Sequence, residues 1–130
     1  MSSDLYREQI LDHYRYPRNY GSLEGADISH EDQNPLCGDQ VRFEVCLDEH
    51  GRVARAAFSG RGCAISQATA SMLTEAVQGK TLDEIKAMDQ KTVLELLGIS
   101  LSPVRLKCAL LPLKVLQAGI HRYENEAAGR

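Results

Sequence analysis

The stretch QVRFEVCLDEHGRVARAAFSGRGC, residues 40–63, decides the fold. Val41, Phe43, Val45 and Leu47 alternate strictly along it, the period of a strand with one apolar face. Asp48-Glu49-His50-Gly51 is a hairpin turn signal, and residues 52–59 make the return strand. Gly60-Arg61-Gly62 then breaks the pattern. A hairpin returns its two ends to one edge. The chain near residue 39 and the chain near 60–63 therefore lie side by side, and Cys37, Asp39 and Cys63 come together.

Upstream, Tyr6, Ile10, His13 and Tyr14 fall near one helical face over residues 4–15. Pro17 ends that helix, and Tyr16 to Gly21 reads as a turn. Residues 22–36 are polar, with a short edge strand expected near 27–32. Downstream, Ile65, Ala68, Met72 and Ala76 recur at helical spacing within 64–78, and Gly79 is the stop. Thr81 and Glu84 form a capping box for a short helix. Another runs over about 90–97 and stops at Gly98, and Ser102-Pro103 follows in a loop. The last helix runs to about Tyr123. Pro112 bears on its start, because a proline ring collides with the carbonyl four residues back, here that of Cys108. The helix is therefore expected to begin within about two residues of Cys108. One domain over 1–130 is expected, with residues 1–3 and 124–130 frayed.

Composition narrows the function. The net charge is −3 with both signs mixed along the chain, so there is no basic stripe for nucleic acid. No apolar run reaches the ~20 residues of a membrane helix. The first ten residues are polar and lack a signal-peptide core, so a cytoplasmic address is expected. Four cysteines in such a chain are reduced, metal-binding or reactive rather than disulfide-bonded. None is paired as CxxC, so any shared site is assembled by the fold.

Three of the four stand at expected element ends. Cys37 and Asp39 lie in the turn before the first clear strand, Cys63 opens one helix and Cys108 opens the last. A helix N-terminus favours the thiolate, and Cys108 has Arg105 and Lys107 beside it. Gly38 and Gly62 leave room near the backbone for a bulky ligand. Three sulfurs and a carboxylate suit zinc or a small iron–sulfur cluster better than magnesium or calcium. A lone cysteine is as often a small buried hydrophobe, and Cys46, between Val45 and Leu47, is read so. His13 is read as a packing or hydrogen-bonding residue, and His30, His50 and His121 as loop or surface. Tyr14, Tyr16 and Tyr20 cluster near the N-terminal turn. No His–Asp relay adjoins any cysteine, which weighs against a metal-free redox protein or a cysteine-nucleophile enzyme.

Asn34-Pro-Leu-Cys-Gly-Asp39, Gly60-Arg-Gly-Cys-Ala-Ile-Ser66 and Arg105-Leu-Lys-Cys-Ala109 resemble the three motifs of the NifU/IscU/SufU iron–sulfur assembly proteins. His13-Tyr14 with Pro17-Arg18-Asn19 and Gly21 resembles the family's N-terminal signature, and the likeness covers about residues 4–123. It implies an α+β fold, a small antiparallel sheet of about three strands with helices packed on one face, and a scaffold rather than an enzyme. Such a scaffold takes sulfur from a cysteine desulfurase and passes clusters to apo-proteins or carriers. It implies Cys37, Asp39, Cys63 and Cys108 as ligands of a transient [2Fe–2S] cluster or of Zn²⁺. Cys108 is then the persulfide acceptor, with Lys107 supporting its thiolate. Lys107 before the third cysteine is similar to SufU, where the IscU branch carries histidine, yet the SufU insertion between the second and third cysteines is absent. Leu101-Ser-Pro-Val-Arg105 partly matches the IscU chaperone-binding motif and leaves the chaperone open. The readings in order are a cluster scaffold, a zinc-dependent SufU-type sulfur acceptor, and a metal-free thiol redox protein. A monomer is expected.

Overall fold

Three strands, β1 (Ile28–Gln33), β2 (Gln40–Leu47) and β3 (Val53–Arg61), form one antiparallel sheet in that order. The computed structural model describes residues 3–35 and 38–129. The expected hairpin is present: Phe43 stands opposite Phe58 and Val45 opposite Ala56. The Asp48 carboxylate closes its turn by accepting the N–H groups of His50 and Arg52, both at 2.9 Å. The Arg52 N–H, foremost, holds that carboxyl below its ordinary pKa. β3 extends two residues beyond expectation because Arg61 still pairs with Gln40. β1 confirms the short edge strand, with Ile28 facing Val45.

Five helices complete the described residues: α1 (Ser3–Arg15), α2 (Ala64–Ala76), α3 (Leu82–Lys86), α4 (Gln90–Leu97) and α5 (Pro103–Ala128). Both α2 and α5 pack on the sheet, α2 chiefly against β3 and α5 against β1 and β2. They cover the face that carries Val41, Phe43, Val45 and Phe58, all fully buried. α1 packs on α2. Asn19–Gly21 bonds to the outer edge of β3, through Gly21 N–H to the Phe58 carbonyl at 2.8 Å and Phe58 N–H to the Asn19 carbonyl at 3.0 Å. Asp27 N–H bonds to Val45 on β2, so the chain between crosses the sheet face away from the helices. On the way, Leu23 donates its N–H to the buried Glu44 carboxylate at 3.1 Å.

Helix α2 is buried from Ile65 to Thr74, so its hydroxyls must find partners inside. Thr69 Oγ1 donates to the Ile65 carbonyl at 2.7 Å, and Thr74 Oγ1 donates to that of Ser71 at 2.6 Å. Ser71 Oγ lies 2.8 Å from His13 Nδ1 and accepts the Arg18 N–H at 2.8 Å. That hydroxyl pins the end of α1 and the following turn to α2. Burial, then the charge of Arg18, holds His13 below its ordinary pKa, with Glu75 and Asp12 opposing. The expected packing role of His13 is thus observed.

The expected start of the last helix is wrong. α5 begins at Pro103, five residues before Cys108, and Pro112 lies inside it. Ser102 is the N-cap and accepts the Arg105 N–H at 3.4 Å. Pro103 occupies the first turn, where a missing N–H is harmless. This start signal prevails over the roughly 3 kcal/mol that an internal proline costs. Leu111, Leu113, Val115 and Leu116 are all buried by the continued helix. The C-terminal end was also expected to fray from 124, yet α5 continues to Ala128. Lys86 holds Glu124 there at 2.7 Å. Among the described residues no helix is long and apolar enough to cross a membrane.

Candidate metal centre

The Gln40–Arg61 pair is the last rung of the hairpin, and the residues just beyond it carry the site. On one side Asn34 N–H bonds to the Asp39 carbonyl and Gly38 N–H to the Asn34 carbonyl, both at 2.8 Å. Gly38 takes φ of 74°, a left-handed conformation suited to glycine. This turn aims the Asp39 side chain inward, where the residue is 1% exposed. On the other side, Cys63 is the N-cap of α2. Its N–H bonds to Asp39 Oδ1 at 2.9 Å, and its thiol lies 3.3 Å from Oδ2. The carboxylate thus sits at the positive end of α2, where negative charge is favoured.

Gly62 makes that fit. A Cβ on residue 62 would stand 2.6 Å from Asp39 Cγ, with Oδ1 closer still. Room at Gly62 was expected to serve an external ligand. It is instead filled by the aspartate of the chain itself.

Cys108 enters from the second turn of α5 and is 4% exposed. One carboxylate oxygen of Asp39, Cys63 Sγ and Cys108 Sγ all lie within 4.8 Å of one another. Ligand atoms around one tetrahedral zinc stand roughly 3.3–3.8 Å apart by ordinary bond lengths, so small side-chain rotations suffice to bind an ion. Two soft sulfurs with one carboxylate fit zinc or iron and not magnesium. Cys37, the expected fourth ligand, lies outside the described residues.

Cys63 stands at a helix start as expected, and Cys108 does not. Lys107 is exposed and lines a cleft of about 360 Å³ with Pro35, Leu111 and Lys114, beside the turn leading to Asp39. Cys46 is buried at the hairpin end of β2, away from that turn, with the Arg55 guanidinium 3.8 Å from its sulfur. Sequence reasoning missed Ser66. It is buried, donates to the Cys63 carbonyl at 3.2 Å and stands 3.8 Å from the Cys63 sulfur. Its place three residues after an N-cap was the available signal.

Known proteins are similar to this chain over most of its length. The chain is 38% identical to the zinc-dependent sulfurtransferase SufU of Bacillus subtilis (strain 168), over 92% of each chain. It is 33% identical to the iron–sulfur cluster assembly scaffold protein IscU of Escherichia coli (strain K12), over 93% of this chain and 95% of that one. The crystal structure of a nitrogen-fixing NifU-like protein (N-terminal) from Brucella abortus matches with a TM-score of 0.75 at 24% identity. That match covers 95% of this chain and 96% of the other, and bears on the fold alone. The family model described as the NifU-like N terminal domain matches residues 5–129, and the chain belongs to that family.

Proposed function

We propose that this chain is an assembly scaffold for iron–sulfur clusters. It receives sulfur from a cysteine desulfurase and holds a transient [2Fe–2S] cluster, its cargo, on Cys37, Asp39, Cys63 and Cys108. The observation that carries this reading is the convergence of Asp39, Cys63 and Cys108 within 4.8 Å at one end of the sheet. A carboxylate is a harder and weaker partner for this iron than a thiolate. One such ligand suits a cluster that must leave again for an apo-protein or carrier. Cys108 is the persulfide acceptor in this reading. Its burial shields a persulfide from water and from small thiols, and Lys107 adds positive charge one residue away. The scaffold acts as a monomeric, single-domain protein.

A second reading is favoured by Lys107 before the third cysteine and by the identity to SufU. Here the same residues hold zinc, which keeps the thiolates deprotonated. The chain then acts as a sulfurtransferase that stimulates the desulfurase.

One preparation tests both. Protein purified without oxygen is analysed for zinc, iron and sulfide, then incubated with desulfurase, cysteine and ferrous iron. A visible chromophore with matching iron and sulfide supports the scaffold. One zinc, no chromophore and faster desulfurase turnover supports the second reading. Neither cluster nor stimulated turnover overturns both. Labelled persulfide should be lost in Cys108→Ser and kept in Cys63→Ser, and the reverse result removes Cys108 as acceptor.

A further inference from the structure

Cys63 is the N-cap of α2, where an oxygen-bearing side chain would turn back to bond the first N–H groups of the helix. Its sulfur makes no such bond and faces the centre. Ser66, three residues on, is fully buried, so its hydroxyl needs partners inside the protein. Gln67, buried beside it, donates from Nε2 to Ser66 Oγ at 3.4 Å. Ser66 Oγ in turn donates to the Cys63 carbonyl at 3.2 Å, and the Cys63 sulfur stands 3.8 Å from it, within reach of a hydrogen bond to sulfur. The bond to the carbonyl is dispensable. That carbonyl also accepts the Gln67 N–H at 3.2 Å, the ordinary helical bond, and keeps it whatever the hydroxyl does. Rotation of the O–H alone can therefore turn its hydrogen from carbonyl to sulfur and leave no buried group unpaired.

What the Cys63 sulfur needs from its neighbours depends on its load. As a thiol it has a hydrogen to donate, and Asp39 Oδ2 lies 3.3 Å away to take it. A cysteine sulfur on a metal has no hydrogen and only accepts. The Asp39 carboxylate offers it no donor, whereas the Ser66 hydroxyl does. We propose that Ser66 is a positioning residue of the centre, whose hydroxyl turns from the Cys63 carbonyl to the Cys63 sulfur when that sulfur binds a metal. The inference rests on the metal-binding reading above and adds Ser66 and Gln67 to it. The Gln67 amide occupies a lone pair of Oγ, which holds the oxygen and leaves its hydrogen free to turn. A hydrogen donated to the sulfur draws charge from it. Groups behind a ligand strengthen metal binding by orienting it, and a donor at the sulfur favours the reduced form of a cluster, which carries more negative charge. When the metal leaves, the hydroxyl returns to the carbonyl, so neither state leaves a polar group unpaired.

The test uses the whole chain, loaded with zinc or with cobalt(II) in its place. Ser66→Ala removes the hydroxyl and leaves Cys37, Asp39, Cys63 and Cys108 in place. Its zinc dissociation constant, read by competition with a chromophoric chelator, should rise about tenfold or more. The sulfur-to-cobalt charge-transfer band should move to longer wavelength, because a sulfur without its hydrogen bond gives up an electron more readily. A hydroxyl that only braced the first turn of α2 would change the melting temperature and not this band. An unmoved band in Ser66→Ala overturns the inference, whatever the affinity does. Should that variant fail to fold or to load, Ser66→Thr and Ser66→Val, alike in shape, decide the matter. The threonine band must then lie at shorter wavelength than the valine band, and coincident bands overturn the inference. If the wild-type chain takes up neither zinc nor cobalt, the metal-binding reading itself falls. Wild-type loading with a band that the variants leave in place sinks the role of Ser66 alone.

Discussion

Gly62→Ala places one methyl group where the carboxylate of Asp39 now sits. Residue 62 has φ of 148°, a conformation that costs a non-glycine residue roughly 1–3 kcal/mol. The new Cβ would stand 2.6 Å from Asp39 Cγ, so the carboxylate must withdraw. Its 2.9 Å bond from the Cys63 N–H is then lost, and a hydrogen bond to a charged group contributes about 1.5–3 kcal/mol. The combined cost is about 2.5–6 kcal/mol, a fall in melting temperature of roughly 10–24 °C for a domain of this size. Zinc affinity should fall ten- to hundredfold, because Asp39 no longer faces the two sulfurs. Differential scanning calorimetry and competition with a chromophoric chelator measure the two effects. A double-mutant cycle with Asp39→Ala isolates the contact. Both single variants lose the same hydrogen bond, so the pair should be less damaging than the sum by about that bond, 1.5–3 kcal/mol. Additive variants, or a Gly62→Ala protein melting within about 2 °C of wild type, refute the packing of Gly62 on Asp39.

Asp39→Ala should hold a reconstituted cluster longer than wild type at equal folded fraction; decay of the visible absorbance measures it, and equal decay refutes the labile-ligand idea. His13 has a lowered folded pKa, so its contribution to stability is present above its ordinary value of 6.5 and is lost as pH falls through the folded value. Chemical denaturation from pH 8 to pH 5 should show that slope in wild type and a flatter one in His13→Gln; equal slopes refute the assignment. Gly119→Ala would gain about 1 kcal/mol on an exposed helix. Here the Cβ stands 2.9 Å from His30 Cβ and 3.2 Å from Ile28 Cγ2, and overpacking costs about 1–3 kcal/mol, so the variant should lose stability in urea titration. A stabilised Gly119→Ala protein would falsify the close approach of α5 to β1.

The sheet was legible because alternation over Val41–Leu47 and the Asp48–Gly51 turn are local signals, and their pairing follows from chain connectivity. The same connectivity brings Asp39 to Cys63. Cys108 was harder. Its approach depends on where α5 lies over the sheet, which no local pattern states. The single local cue used, Pro112, misled, since burial of the surrounding apolar residues offsets an internal proline. Ser102-Pro103 is a helix start signal, an N-cap serine before a proline in the first turn, and not the loop expected there. The burial of α2 on nearly every side was equally hidden, because its serines and threonines suggest a half-exposed helix. They are tolerated inside because each hydroxyl reaches a backbone carbonyl or a residue of the α1 turn.

Asp39 joins the fold to its proposed chemistry. Its two oxygens have different work: Oδ1 accepts the Cys63 N–H at the end of α2, and Oδ2 faces the Cys63 sulfur. An acceptor already sharing its charge with a backbone N–H and a helix terminus donates less to a metal. The aspartate can therefore be a weak ligand without being a loose one. Its position is fixed by Gly62 and by the turn at Gly38, and in the proposed role it would hold the iron of a cluster less firmly than the thiolates do. A scaffold needs that combination, a site formed before its cargo arrives and a ligand that yields when the cargo leaves. Glutamate at position 39 would keep the charge and lose the placement. It has an extra methylene in a space with no room for one, so both the α2 contact and cluster release should suffer together.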